Sequence, residues 1–246
     1  MARVEPVPGE PAALADCGDE LALLVADVHA GIEAALRAER GVSVDSRAAE
    51  RRERLLGLCE RHDPDRLVVA GDLMHSIGGP GGAERGEIET LVEALPVPLT
   101  LAKGNHDGDV ETWLEGATVS DGGGLRLGPV AVAHGHTWPD PDLLGAEVLC
   151  VGHEHPRVRL VDEVGGERTE RAWLRGPLAR EPFAERGLDD AWNEPELVVC
   201  PAFNELSGGT WVNADSDFLA PFLPAGLPAG QAYLLDGTRL GDYRSV

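Results

Sequence analysis

Five short segments of this 246-residue chain carry side chains suited to holding metal ions. They are Asp27-Val28-His29, Gly71-Asp72, Gly104-Asn105-His106-Asp107, His134-Gly135-His136 and Gly152-His153-Glu154-His155. Carboxylate, imidazole and amide oxygen together form a borderline donor set, suited to Mn²⁺, Fe, Zn²⁺ or Ni²⁺. Seven candidate ligands exceed the needs of one ion, so the pattern points to a pair of metals with one bridging carboxylate. A lone Asp-x-His or Gly-Asn-His-Asp is a weak signal. Five such segments in order, each behind an apolar run, are a strong one.

The elements that must position these residues can be read from the runs in front of them. Leu21–Ala26, Leu67–Ala70, Val97–Ala102, Val130–Ala133 and Glu147–Val151 are short and apolar, as buried parallel strands are. Ligands in open α/β sheets bind at the C-terminal ends of such strands. Residues two apart on a strand point the same way, so Asp27 with His29, and His153 with His155, can converge on one centre or bracket two. Helices are expected over Ile32–Arg40, Ser46–His62, with Ser46 as N-cap and Asp63-Pro64 as the stop, and Glu84–Leu95. Ser76–Gly82 reads as a glycine-rich loop. Beyond His155 the pattern alternates. Arg157–Glu163 and Arg168–Leu174 flank Gly165-Gly166 as a hairpin, and Leu197–Cys200 and Gln231–Leu235 read as further strands. Glu181–Pro195 and Leu219–Gly230 read as surface loops. No linker separates two cores. The expectation is one domain over 1–246, with a motif-bearing core at 21–155 and strands of 156–246 completing a second sheet. Its class is α/β, two facing mixed sheets with helices outside, a four-layer α/β/β/α sandwich.

Charge narrows the partners. The chain has 43 acidic and 21 basic residues, a net charge of −22, and only one of the 21 is a lysine, Lys103. Acid is spread along the whole length, which excludes a protein that coats nucleic acid by bulk positive charge. With aromatics at 4 %, no basic stripe interleaved with rings is visible either. A uniform acid excess with almost no lysine fits a high-salt, halophilic cytoplasm, where a Debye length of about 3 Å at 1 M screens self-repulsion. No apolar run approaches the roughly 20 residues of a membrane helix, and Met1–Glu20 does not read as a signal peptide. Cys17, Cys59, Cys150 and Cys200 form no CxxC pair and read as ordinary buried thiols of a reducing cytoplasm.

The order D-x-H, G-D, G-N-H-D, H, G-H-x-H resembles the calcineurin-like metallophosphoesterase superfamily over Leu21–His155. The chain is further similar to small archaeal and bacterial phosphoesterases of the DNA-ligase-associated type. The shared features are Asp27-Val28-His29-Ala30-Gly31-Ile32-Glu33, a histidine three after the second aspartate (Asp72 to His75), and Pro201-Ala202-Phe203 followed by Ser207-Gly208-Gly209. Ile32 departs from that pattern, which often has a basic residue there. The resemblance implies that Asp27, His29 and His155 hold one metal, that Asn105, His134 and His153 hold the second, and that Asp72 bridges. His106 would face the phosphoryl group and stabilise or protonate the leaving oxygen, and Asp107 would orient its imidazole. His136 would support the site, His75 would contact substrate or close a loop hydrogen bond, and Lys103 reads as a charged strand end.

The implied reaction follows from charge. Two divalent cations, Mn²⁺ foremost, lower the pKa of a bridging water, and the hydroxide attacks phosphorus in line. The expected substrate is a phosphodiester: single-stranded DNA, RNA or a cyclic nucleotide. The alternatives are a phosphomonoesterase and a non-catalytic metal-binding scaffold. Scaffold relatives lose ligands or the Gly-Asn-His-Asp histidine, and this chain retains them all.

Overall fold

The computed structural model describes residues 3–214 and 217–246; Met1 and Ala2, at the head of the segment read as lacking a signal peptide, lie outside them. The first sheet holds six strands in sequence order: β1 (Val4–Pro6), β2 (Ala12–Asp16), β3 (Leu21–Val25), β4 (Arg66–Val69), β5 (Leu99–Leu101) and β6 (Ala117–Val119). β3 through β6 are parallel, and β1 and β2 add on antiparallel. Between them lie α1 (Ile32–Arg40), α2 (Ala48–His62) and α3 (Gly82–Ala94).

The second sheet is mixed. Its strands are β7 (Leu125–Leu127), β8 (Val130–Ala133), β9 (Val148–Val151), β10 (Arg157–Val161), β11 (Glu167–Pro177), β12 (Glu196–Val199), β13 (Gln231–Leu234) and β14 (Arg239–Asp242). They lie in the order β14-β13-β11-β12-β9-β8-β7, with β10 paired to β11 off that path. β8, β9 and β12 are parallel.

Side-chain alternation divides the apolar residues into three layers. From β3, Ala22 and Leu24 face the second sheet and pack with Val68, Val132, Cys150 and Trp173. Leu23 and Val25 face the other way, against Leu55 and Leu58 of α2 and Ile88 of α3. Likewise Leu149 and Val151 of β9 point outward from the second sheet onto Phe183, Phe222 and Leu227. The order of layers is therefore helix, sheet, sheet and a thin outer cover. Among the described residues that cover has one helix, α4 (Glu181–Ala184), a 3-10 turn at Pro141–Gly145, and coil.

Three expectations need correction. Glu181–Pro195 and Leu219–Gly230 are not surface loops throughout: Phe183, Ala220, Phe222, Leu223 and Leu227 are buried and close the outer core. Phe183 does so from the short helix α4, and the residues of 220–227 do so from turns and coil rich in Pro and Gly. Ser46 does not cap α2; the helix begins at Ala48 with Arg47 at the cap, and the Ser46 hydroxyl accepts only the Ala48 N–H at 3.3 Å. β1 and β2 form where no strand was expected, since Ala12–Asp16 is mostly alanine, a poor strand former. The four cysteines are buried and unpaired, as expected.

Candidate metal centre

All five ligand-bearing segments leave the C-terminal ends of β3, β4, β5, β8 and β9, so both sheets feed one site. The chain turns sharply at each exit. Among the described residues seven non-glycine residues have positive φ, and five of them are Asp27, His29, Asp72, His153 and His155. Left-handed backbone costs a side-chain-bearing residue about 1–3 kcal/mol and persists only where the surroundings hold it. These side chains therefore converge through tight turns beyond the strand ends and not by alternation along a strand. Glycine permits the close approach: a Cβ on Gly71 would lie 2.3 Å from the His134 ring, and one on Gly104 would lie 2.2 Å from Asp72 Oδ1.

Two clusters result. In the first, His155 Nε2 lies 3.2 Å from Asp27 Oδ1 and 3.3 Å from His29 Nε2. In the second, His134 Nε2 lies 3.3 Å from Asp72 Oδ1, 3.1 Å from Asn105 Oδ1 and 3.1 Å from His153 Nδ1. Asp72 stands between them, its Oδ2 3.8 Å from His29 Nε2. The seven residues expected as ligands are thus brought together, with His153 and His155 in different clusters.

The donor set fits metal ions. His134 donates Nδ1–H to the Ala70 carbonyl and His155 donates Nδ1–H to the Gly208 carbonyl, which turns both Nε2 lone pairs inward. Burial lowers the His29 and His153 imidazoles to about 4, so both are neutral near pH 7. Burial also disfavours charge on Asp27 and Asp72, yet His155 and His134 hold these carboxyls below the usual range. Burial opposes protonation of His134 too, but Asp72 and Asp27 pull it up to about 9. That pull on Nε2 is the one a cation would feel.

His106 sits at the edge of the site. Its Nδ1–H donates to the His75 carbonyl, and its Nε2 lies 3.8 Å from Asp72 Oδ2. The His75 ring stacks on it at 5.6 Å. The role expected of Asp107 is not the one observed. Its buried carboxylate accepts the N–H groups of Asp72 (2.9 Å), Met74 (3.1 Å) and Gly104 (2.7 Å). It fastens two ligand-bearing loops together and does not touch the His106 ring, whose partner is a carbonyl. Burial and the neighbouring Asp72 raise its carboxyl to about 6. His136 lies beside His134, ring centres 5.3 Å apart, with its Nδ1 buried and unpartnered. Lys103 pairs with Glu111 at 2.8 Å, as a charged strand end does.

The supports that sequence reasoning missed come from α2 and α3. Glu84 accepts the N–H groups of His75 (2.6 Å) and Ser76 (2.9 Å), and Glu87 accepts Gly31 N–H at 3.1 Å. Arg51 binds both Glu33 and Glu87 bidentately. Glu33 stood out in the first motif; the other three are marked only by their place on helix faces.

A double-sheet sandwich with carboxylates and imidazoles converging from both sheets defines a metal-dependent hydrolase site. The family model for calcineurin-like phosphoesterases matches residues 22–216, and the chain belongs to that family. It is a metal-dependent phosphoester hydrolase. Among solved structures it is similar to the Pseudomonas putida nuclease MPE, with 23 % identity over 95 % of this chain and 97 % of that one, at a TM-score of 0.55. It also matches the phosphoesterase YfcE of E. coli, with 16 % identity over 89 % and 96 % of the two chains, at a TM-score of 0.40. No curated protein matches the chain. Among the described residues, no helix is long and apolar enough to cross a membrane.

Proposed function

We propose that this phosphoesterase cleaves phosphodiesters, in a nucleic-acid strand or a small nucleotide, with two divalent cations of which Mn²⁺ is the leading candidate. The observation that carries the reading is Asp72, whose two carboxylate oxygens face different clusters. Asp27, His29 and His155 hold one cation, Asn105, His134 and His153 the other, and Asp72 serves both. When bound, the cations would supply Lewis-acid charge and would acidify water. His106, its ring fixed through Nδ1, presents Nε2 to the same space and stabilises or protonates the leaving oxygen. Asp107 holds the Asp72 and Gly104 loops in register. The nuclease among the structural neighbours supports a diester substrate. Four buried thiols support a reducing cytoplasm, and the net charge of −22 supports a high-salt one. The whole chain acts as one catalytic unit.

The test is to purify the protein with Mn²⁺ in molar KCl and compare bis-(p-nitrophenyl) phosphate with p-nitrophenyl phosphate. The diester is expected to turn over at least ~10-fold faster, about 1.4 kcal/mol in barrier. A preference for the monoester sinks the diester reading. A stoichiometry of one metal per chain at full activity sinks the paired-metal reading.

A further inference from the structure

Glu84 is 3 % exposed, and its carboxylate faces backbone N–H groups. Oε1 accepts His75 (2.6 Å) and Ser76 (2.9 Å), and Oε2 accepts Gly81 (3.3 Å). The residue stands in the first turn of α3, where the helix dipole favours negative charge. Gly31 of the first motif makes room for it, since a Cβ on Gly31 would lie 2.7 Å from the Glu84 Cβ.

The Ser76 N–H and the His75 carbonyl are two ends of one peptide group. That carbonyl accepts the Nδ1–H of His106. A single amide therefore joins a buried carboxylate to the imidazole at the edge of the metal centre: Ser76 N–H to Glu84 Oε1 on one side, His106 Nδ1–H to His75 C=O on the other. Because the peptide is planar, its two ends turn together. A carboxylate on the N–H also polarises the amide and strengthens the hydrogen bond at the carbonyl. The His75 N–H has a second acceptor, the Ala30 carbonyl at 3.2 Å, so the bond from Ser76 is the one that sets the plane of this amide. His106 is anchored at its backbone, where its N–H donates to Asp72 Oδ1 at 3.0 Å, but the partner of Nδ1 decides where Nε2 points. Asp107, the neighbouring carboxylate, binds the N–H groups of Asp72, Met74 and Gly104 instead.

We propose that Glu84 is the positioning residue of His106: through the His75–Ser76 amide it aims Nε2 at the leaving oxygen and sets the strength of the Nδ1–H bond. The inference rests on the reading of His106 as the group that stabilises or protonates that oxygen. As the P–O bond to the leaving group breaks, its oxygen takes a proton from Nε2. Water supplies the oxygen that phosphorus gains and the proton that restores His106. The aim of Nε2 matters most when the leaving oxygen is a strong base.

The test compares bis-(p-nitrophenyl) phosphate, whose nitrophenolate is a weak base, with diphenyl phosphate, whose phenolate is a stronger one. Wild type, Glu84→Gln, Glu84→Ala, His106→Ala and the Glu84→Gln/His106→Ala double variant are assayed at saturating Mn²⁺, with metal content measured in each. His106→Ala is expected to lose about 100-fold more kcat on diphenyl phosphate than on the nitrophenyl diester. Glu84→Ala should show a selective loss of about tenfold, and Glu84→Gln, which keeps the shape and an acceptor oxygen but not the charge, one of about threefold. In the His106→Ala background, Glu84→Gln should add no selective loss. Equal losses on the two substrates in the Glu84 variants, the mark of a merely structural role, would overturn the amide link while leaving the His106 reading intact. A selective loss that Glu84→Gln still adds without His106 would do the same. Equal losses in His106→Ala would remove the reading of His106 itself, and the link with it. Glu84→Gln is isosteric and carries the test if Glu84→Ala fails to fold. For an enzyme that prefers monoesters, p-nitrophenyl and phenyl phosphate give the same comparison, so the outcome is independent of the diester reading.

Discussion

The two halves of the metal centre are held in place by different means. Around the second cluster the supports are local contacts with backbone groups: His134 leans on the Ala70 carbonyl, and the Asp107 carboxylate gathers three N–H groups. Around the first cluster the Gly208 carbonyl that holds His155 is joined by charged side chains: Arg51 reaches across the chain to Glu33 and Glu87, Glu87 to Gly31, and Glu84 to the nearer His75 and Ser76. A backbone-held half depends on the fold as a whole. A side-chain-held half can be loosened by one substitution while the sheets stay intact. Asp72 belongs to both, and its failure should be the most severe.

The largest expected effect is therefore Asp72→Ala, with a loss of about 10⁴ in kcat/KM, about 5.5 kcal/mol in barrier. Metal analysis should show both ions lost together; retention of one at wild-type affinity would mean that the halves are independent.

Next comes Arg51→Met. It strands two buried carboxylates and should cost about 4 kcal/mol of stability. It should also invert the acid response. In the wild type, burial raises the Glu33 carboxyl but Arg51 outweighs it and holds it below its ordinary value. A depressed folded pKa contributes stability above pH 4.5, the unfolded value, and that stability is lost as pH falls through the folded pKa. Without Arg51, burial of Glu33 is opposed only by the backbone N–H groups of Glu33 and Arg47, so its folded pKa rises; Glu87, which burial already raises, rises further, and acidification from neutral should stabilise the variant. Urea midpoints at pH 7 and pH 5 measure this. A variant that weakens with acid as the wild type does would contradict the assignment.

Asp107→Ala should cost about 3 kcal/mol by leaving buried N–H groups unpaired. Because two ligand loops share those bonds, metal affinity should fall in the second cluster along with Tm. A fall in kcat alone, with metal content and Tm unmoved, would restore the imidazole-orienting role. The smallest effect is a gain. His136→Phe removes a buried unpartnered Nδ1 and should raise stability by about 1 kcal/mol in thermal melts. A loss there would mean that the nitrogen has a partner in solution.

The same contrast explains what the sequence made legible. The ligands were readable because each follows a short apolar run, and a strand end is a place with a known chemical bias. The three-residue β1, β6 and β7 were not, since so few residues show no periodicity. Asp107 was visible as a residue, but the direction of its carboxylate depends on where the Asp72 loop passes. Arg51, Glu84 and Glu87 look like ordinary helix-surface charge until α2 and α3 are packed side by side. The buried coil over Leu219–Gly230 was hidden by its own Pro and Gly content. Phe222, Leu223 and Leu227 pack from coil and leave no repeat to recognise.

The left-handed turns at Asp27, His29, Asp72, His153 and His155 also bear on how such a protein could change over generations. Glycine and asparagine occupy that backbone region at less cost than aspartate or histidine. A lineage that no longer needs the reaction would therefore find stabilising replacements at the very positions that perform it. Decay should begin at the centre and spread outward, and glycine at any of these five sites in a descendant would mark a chain that has kept the sandwich and abandoned the chemistry.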